Sequence, residues 1–320
     1  MSPGRAGRRG GRRGVALFVA LWLVVAIGVI SLQFNLEGRQ QRLVAANILE
    51  LADARAAAHG GVEHALARLE RTLRLPRVTG QGANALRAAD PWLDADTLVR
   101  IDEDTTGSTY RVRVSDVASQ LNVNNATEAQ LRLLFTGLDF DFSTADRVAQ
   151  GIIDWRDPND LNRPQGAERE QYLREGRLFL PRDGPIQNLA ELRHVLEMSD
   201  EMYDSIAPFL RVDGPAQINV NSAPPVVLAT LPGFTDATVA AVMRVRLQGR
   251  RITALNELRE LAGSGGGQIT AQRVTFDTRE LRVTSTGWNV GFRTAVRVEA
   301  LVRRGTGNSS TVTVVWRREM

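Results

Sequence analysis

Asp154-Trp155-Arg156-Asp157-Pro158-Asn159-Asp160, running on to Gly166-Ala167-Glu168, is the one dense cluster of oxygen donors in the sequence. Carboxylates and amides at such short spacing suit a hard cation such as calcium, which takes six to eight oxygen ligands. Asp157 to Glu168 spans 12 positions, with donors at the first, third and twelfth. It is not an EF-hand loop, because Leu161 holds the fifth position and Asn162 stands where that loop requires Gly. A solvated loop whose acids cap helices accounts for the same residues, and the two readings stand side by side. No catalytic set emerges. His59, His64 and His194 are the only histidines and sit apart in sequence, so each is read as a surface or packing residue. No phosphate loop, zinc pattern or nucleophile elbow is present. Zero cysteines exclude disulfides and thiolate chemistry.

The formal charge of +4 is misleading as a guide to partners. Of 40 basic residues, all arginine, five (Arg5, Arg8, Arg9, Arg12 and Arg13) lie in the first 14 positions, leaving 35 against 36 acidic ones. A general affinity for nucleic acid does not follow. The arginines precede an uncharged apolar run, Val15 to Leu32, which is about the minimum length for the roughly 30 Å hydrocarbon layer. The positive-inside rule keeps the cluster cytoplasmic and sends the rest of the chain outward. Two processing readings compete. A secretory signal would be cut after Ala26-Ile27-Gly28. Cleavage between Gly14 and Val15 would instead leave the apolar segment as a retained helix, and a basic peptide ending in Gly before such a segment resembles the leader of type IV prepilins and type II secretion pseudopilins. Retention is favoured because helical spacing continues past Leu32, through Leu43, Val44, Ile48 and Leu51 and then Val62, Leu66, Leu69 and Leu73. Gly60-Gly61 is expected to bend or loosen this helix.

The elements beyond it follow from periodicity. Pro76 to Asp96 reads as a loop. Leu98 to Asp104 and Thr109 to Val114 alternate around Thr106-Gly107-Ser108 as a hairpin, and Glu280 to Thr286, Thr294 to Val302 and Ser310 to Trp316 form a three-strand meander. Strands on both sides of a helical middle make that middle an insertion into a sheet domain.

The middle contains a repeat. Leu121-Asn122-Val123-Asn124-Asn125-Ala126 with Leu131 and Leu134 matches Ile218-Asn219-Val220-Asn221-Ser222-Ala223 with Leu228 and Leu231, at an offset of 97. A second mark, Ile186, Leu189, Glu191, Leu192 and Arg193, matches Ile252, Leu255, Glu257, Leu258 and Arg259 at an offset of 66. The first copy therefore carries 31 extra residues, placed near 157–184 in the acidic stretch. Asn124 and Asn221 are read as helix caps. The repeat also resembles helix-hairpin-helix modules of the competence-protein type, whose Gly-x-Gly hairpin approaches phosphate. Thr136-Gly137-Leu138-Asp139 and Pro232-Gly233-Phe234-Thr235-Asp236 each keep one Gly, and Asp139, Asp141 and Asp236 put negative charge where a phosphate would lie. No nucleic acid is expected.

Together these residues resemble the minor pseudopilin K family of type II secretion systems. The resemblance is carried by the Gly14-Val15 junction, by Ile152-Ile153-Asp154-Trp155-Arg156-Asp157, by Gly166-Ala167-Glu168 with Tyr172, by Glu191-Leu192-Arg193 and by Ile218 to Ala223. Pilin-like subunits carry Glu at the fifth position after the junction; here it is Val19, and lack of that acid is a peculiarity of this family. The resemblance implies an α+β fold: a pilin-like N-terminal helix on an antiparallel sheet, with a large all-helical domain of two SAM-like, helix-hairpin-helix-like repeats inserted between strands. It divides the chain into leader 1–14, helix 15–75, first sheet part 76–120, helical domain 121–270 (repeats about 121–212 and 218–262) and C-terminal strands 271–320. It further implies a single-pass inner-membrane subunit, cytoplasmic at its N-terminus and periplasmic beyond. Its role would be to cap the pseudopilus tip and start assembly, with minor pseudopilins I and J (and H), major pseudopilin G, prepilin peptidase and the inner-membrane assembly platform as partners. Calcium would be held by Asp157, Asp160 and Glu168, although Arg169 replaces a second acid. The alternatives are a membrane-tethered helix-hairpin-helix DNA receptor and, with no catalytic residues to name, an exported hydrolase.

Overall fold

The computed structural model describes residues 12–74, 98–101, 109–289, 294–305 and 311–320. The first element, α1 (Arg12–Arg74), is one unbroken helix of 63 residues, about 95 Å long at 1.5 Å per residue. Gly14, Val15 and Val19 all lie on it, whereas residues 1–11 of the expected leader lie outside the described residues. From Leu17 to Leu36 the large apolar side chains are exposed, and that part of the helix is long and apolar enough to cross a membrane.

The second half packs on a sheet. Ala54, Ala58, Val62, Ala65 and Leu69, three or four residues apart, are buried against Val112, Val114, Leu281, Val283, Val296, Val298, Ala300 and Val302. The expected stripe therefore starts later than the sequence pattern suggested: Leu43, Val44, Ile48 and Leu51 remain exposed, and small alanines do much of the contact. The helix runs unbroken through Gly60-Gly61. Gly61 is a point of close approach instead, since a Cβ there would overlap the Ser285 hydroxyl and the Tyr110 ring. Gly287 completes the fit from the sheet side, where a Cβ would run into the backbone of Ala54, Ala57 and Ala58.

Among the described residues the sheet has five antiparallel strands, β1 (Leu98–Ile101), β2 (Thr109–Asp116), β7 (Glu280–Trp288), β8 (Ala295–Arg304) and β9 (Val312–Glu319), in that spatial order. The alternation read from the sequence is the alternation of burial, with Val112, Val114, Val283, Val296 and Val298 inward. The expected loop at 76–96 and the turn Thr106-Gly107-Ser108 lie outside the described residues. Because β2 pairs directly with β7, from Thr109 opposite Trp288 to Asp116 opposite Leu281, the chain leaves the sheet and returns to it at neighbouring points.

Everything between those points is a helical body with its own core, centred on Leu131, Leu134, Phe135, Ile152, Tyr172, Leu192, Ile206, Leu210, Ile218, Leu228, Ile252 and Leu258. Its first repeat holds β3 (Leu121–Asn122), α2 (Glu128–Thr136), α3 (Phe142–Arg156), α4 (Arg169–Arg174), α5 (Asp200–Ile206) and β4 (Leu210–Arg211). The second holds β5 (Ile218–Asn219), α6 (Pro225–Leu228), α7 (Asp236–Leu247), α8 (Leu255–Ala262) and β6 (Val274–Thr275).

The repeat marks bind each other. Asn124 accepts from the Ile186 amide at 2.8 Å through Oδ1 and donates through Nδ2 to the carbonyls of Ile186 and Val212. Asn221 does the same with the Ile252 amide and the carbonyls of Ile252 and Phe276. Neither Asn caps a helix; Thr127 caps α2, and α6 starts with Pro224 and Pro225. The capping reading failed because it weighed only local amides, while the partners lie 62 and 31 residues downstream. Each repeat then closes with a parallel pair, Leu121 with Leu210 and Ile218 with Val274. An arginine also seals each helix start: Arg156 donates to the Ala126 carbonyl and Arg246 to that of Ala223.

The tight helix-to-sheet contact makes a direct prediction. Gly287→Ala must push α1 away from β7, and overpacking of this kind costs about 1–3 kcal/mol. Thermal unfolding of the variant is expected at a temperature several degrees lower, whereas Gly60→Ala, where a Cβ meets open space, is expected to leave it unchanged or raise it slightly.

Candidate functional site

The 31 residues that distinguish the first repeat from the second form the candidate site. Its floor is Asp154, fully buried near the end of α3. Arg163 neutralises it: Nη1 lies 2.7 Å from Asp154 Oδ1 and 2.8 Å from Asp157 Oδ2, and the Arg163 amide donates to Asp154 Oδ2 at 3.1 Å. Burial nonetheless pushes the Asp154 carboxyl upward in pKa, with Arg163 opposing the shift. Gly166 lies directly over this carboxylate, and a Cβ at that position would occupy the place of the Asp154 oxygens. Asp157 also accepts from the Asn159 side-chain amide at 2.7 Å and its backbone amide at 3.3 Å, which folds the start of the loop.

Past Gly166 the chain delivers Glu168 to the start of α4. Its residue is only 3% exposed, and neither carboxylate oxygen has a partner. Asp160 and Asp183 offer oxygens that lie, with one from Glu168, all within 4.8 Å of one another, and Asp183 Oδ1 is likewise buried without a partner. Asp183 holds a positive φ of 53°, a backbone state uncommon for a non-glycine residue, although Asp tolerates it better than most. Among the described residues, the cation that meets this carboxylate group is Arg169, 3.9 Å from Asp183 and largely exposed. Glu168 is accordingly shifted up to about 7, first by burial and then by the charges of Asp154, Asp157, Asp183 and Asp160.

Of the three residues nominated from the sequence, the structure brings Asp160 and Glu168 together and places Asp157 on Arg163, outside the group. Asp183 is the third member. Its signal was available, an Asp-Gly-Pro turn at the end of the same 31-residue excess, but its 15-residue distance from Glu168 hid it among ordinary loop acids. The donor chemistry fits a hard cation: three carboxylates, no nitrogen or sulfur, and orphaned buried oxygens that cost free energy unless something positive meets them.

The other residues of the site are structural. Tyr172 is buried, accepts the Leu196 amide at 2.9 Å through its hydroxyl and meets Trp155 edge to face at 5.5 Å. His194 stacks on Phe179 at 3.9 Å, His64 shares a 3.0 Å hydrogen bond with the Tyr110 hydroxyl, and His59 lies 3.9 Å from Glu319. The hairpin glycines face protein: a Cβ on Gly137 would press on Val226, and one on Gly233 would strike the backbone of Gly265.

A long helix laid on an antiparallel sheet, with a paired helical repeat inserted between neighbouring strands and an acidic loop grown from the first repeat, gives a pilin-like fold with an added head. Residues 111–213 match the family model described as Type II secretion system (T2SS), protein K, a stretch that runs from β2 through the whole first repeat. Type II secretion system protein K of Pseudomonas aeruginosa is 28% identical over 264 residues, 76% of this chain and 76% of that one. The protein of the same name from Klebsiella pneumoniae is 29% identical over 110 residues, 33% of this chain and 34% of its own. In fold, the chain is similar to a chain in the crystal structure of the GspK-GspI-GspJ complex from enterotoxigenic Escherichia coli, with a TM-score of 0.64 and 17% identity, covering 86% of this chain and 99% of that one. The chain thus resembles the type II secretion system protein K family in sequence over its first repeat and beyond, and in fold over most of its length.

The raised Glu168 makes a pH prediction. A carboxyl whose folded pKa lies above its ordinary 4.5 contributes stability that is complete below that value and lost as pH rises through about 7. Cation-free protein should therefore melt at a lower temperature at pH 8 than at pH 5. Glu168→Gln should flatten that dependence, and a bound divalent cation should restore stability most at the higher pH. Calorimetry with and without chelator checks all three, and a melting temperature that is independent of both pH and Glu168 would contradict the reading.

Proposed function

We propose that this protein is a minor pseudopilin that caps the tip of the periplasmic pseudopilus and starts its assembly, so that proteins can be secreted across the outer membrane. The observation that carries the reading is Val19. It lies on the exposed face of α1, 55% exposed, at the place where a filament subunit presents a carboxylate to the terminal amine of its neighbour. A subunit with no neighbour ahead of it has no amine to meet, and in lipid an unpaired acid costs several kcal/mol. The helical body between β2 and β7 supports the same end position, since it adds a bulk that a stacked shaft subunit does not need.

On this reading prepilin peptidase cuts between Gly14 and Val15, and α1 holds the subunit in the inner membrane with its body in the periplasm. The five arginines ahead of the span favour that orientation. Minor pseudopilins I and J, which accompany the E. coli relative in its crystal structure, would be its direct partners. Minor pseudopilin H and major pseudopilin G would follow, with the assembly platform supplying the motor. The protein works by shape and contact, not by catalysis. Calcium would be held by Asp160, Glu168 and Asp183, and by neutralising their charge it would order the loop that sets the first repeat apart.

The two hairpins packed against Val226 and Gly265 argue against the DNA receptor. Two measurements test the proposal. Deletion of the chain should abolish or sharply reduce both secretion and pseudopilus initiation. Val19→Glu in the complemented strain should lower the fraction of filaments carrying the protein at their end, or spread it along the shaft, as seen by immunogold labelling. Normal secretion in the deletion strain would end the proposal.

A further inference from the structure

Two groups of arginines stand on α1 on either side of its apolar run. Arg12 and Arg13 open the helix, and Arg39 and Arg42 are the first basic residues after Leu32. Arg13 and Arg39 are 26 residues apart on an unbroken helix, which is about 39 Å, and Arg12 and Arg42 are about 45 Å apart. A bilayer measured with its headgroup layers is about 40–45 Å thick. One pair of arginine positions thus falls in each headgroup layer when the apolar run is centred in the hydrocarbon.

The outer pair is suited to that place. Arg39 and Arg42 are both exposed, and at a spacing of three their side chains leave the helix on one face, about 60° apart. Glu37, the acid at the same level, is two residues before Arg39 and so leaves on the opposite side. Just beyond the pair, Leu43, Val44, Ile48 and Leu49 are exposed again. The helix therefore has a second apolar stretch that lipid would accept, separated from the first only by a short polar collar.

We infer that Arg39 and Arg42 bind phospholipid phosphates of the outer leaflet and set the depth at which α1 stands, keeping the second apolar stretch out of the bilayer. The inference rests on the membrane-spanning reading of α1. Guanidinium is a planar fork that pairs phosphate oxygens bidentately, and near a membrane surface each basic residue contributes about 1 kcal/mol of attraction to anionic lipid. Once cleavage removes Arg12 and Arg13 with the leader, the outer pair is the sole basic anchor near the span. Leaving the membrane for a filament then means breaking these phosphate contacts first.

The chain has no cysteine, so one introduced residue carries a unique spin label. The full chain, bearing Val44→Cys or in a separate preparation Val24→Cys, is reconstituted in vesicles of phosphatidylethanolamine and phosphatidylglycerol. Label depth is read from relaxation by oxygen against a water-soluble nickel chelate. Position 24 should lie in hydrocarbon throughout; if it reports water, the spanning reading itself has failed. Position 44 should lie in water for the unaltered arginines and for Arg39→Lys with Arg42→Lys. It should move inward by about one helical turn, about 5 Å, in Arg39→Gln with Arg42→Gln. The same inward shift is expected for the unaltered arginines in phosphate-free digalactosyl lipid vesicles. If position 44 keeps its depth when the arginines are replaced, or if removing phosphate has no effect on it, the inference is overturned, and a carboxylate on a partner subunit becomes the ligand to seek.

Discussion

Asp116 holds the two halves of this protein together. It is the last residue of β2, fully buried, and its carboxylate gathers donors from three places. Oδ1 accepts from the Ala118 amide at 2.9 Å, which turns the chain out of the sheet. Oδ2 accepts from Asn219 at 2.6 Å, Ser222 at 2.8 Å and Thr278 at 2.8 Å, the first two from the start of the second repeat and the third from the approach to β7. Beside it the buried Arg211 guanidinium caps the carbonyls of Gln120, Asp213 and Pro215, with Gly214 at a positive φ of 83° leaving room for it. A body inserted between two paired strands hangs from two adjacent strands of chain, and such a joint would be loose on backbone alone. Buried, fully partnered polar groups give it one geometry, because any other arrangement leaves donors without acceptors at about 1–3 kcal/mol each.

That joint links the parts whose separate designs are now clear. The long helix and sheet form a frame fitted through small residues, Gly61 and Gly287 among them, the latter facing alanines, so that backbone approaches backbone closely. Two helical repeats, each locked by an Asn that reaches across to its own second mark, form a rigid head. The acidic loop grows from the first repeat alone, floored by Asp154 and Arg163 and ending in the carboxylates of Asp160, Glu168 and Asp183, whose oxygens lie within 4.8 Å of one another. The head and its loop are added to that frame between the paired strands β2 and β7.

Much of this was legible in the sequence because periodicity and self-similarity are local. Strands β7 to β9 follow from alternation, and the offsets of 97 and 66 give both the repeats and the size of the loop between them. What could not be read is long-range. Asn124 and Asn221 look like caps until Ile186 and Ile252 are folded back on them. Gly61 looks like a flexible point until the sheet is set against it. Asp183 and Asp116 are single acids in unremarkable surroundings, and only the fold reveals that one completes the carboxylate group and the other clasps the joint. Asp157 showed the converse, an acid in the right place along the chain whose charge is taken by Arg163.

The most direct measurement is the thermal unfolding of the full chain in detergent, followed by tryptophan fluorescence and by hydrogen exchange of the sheet and head separately, with Asp116→Ala as the variant. If the joint couples the two halves, the unaltered protein unfolds both together, and the variant separates them, the head and the sheet losing protection at distinct temperatures. A variant that still unfolds in one step, with sheet and head in register, would contradict the claim that Asp116 holds them together.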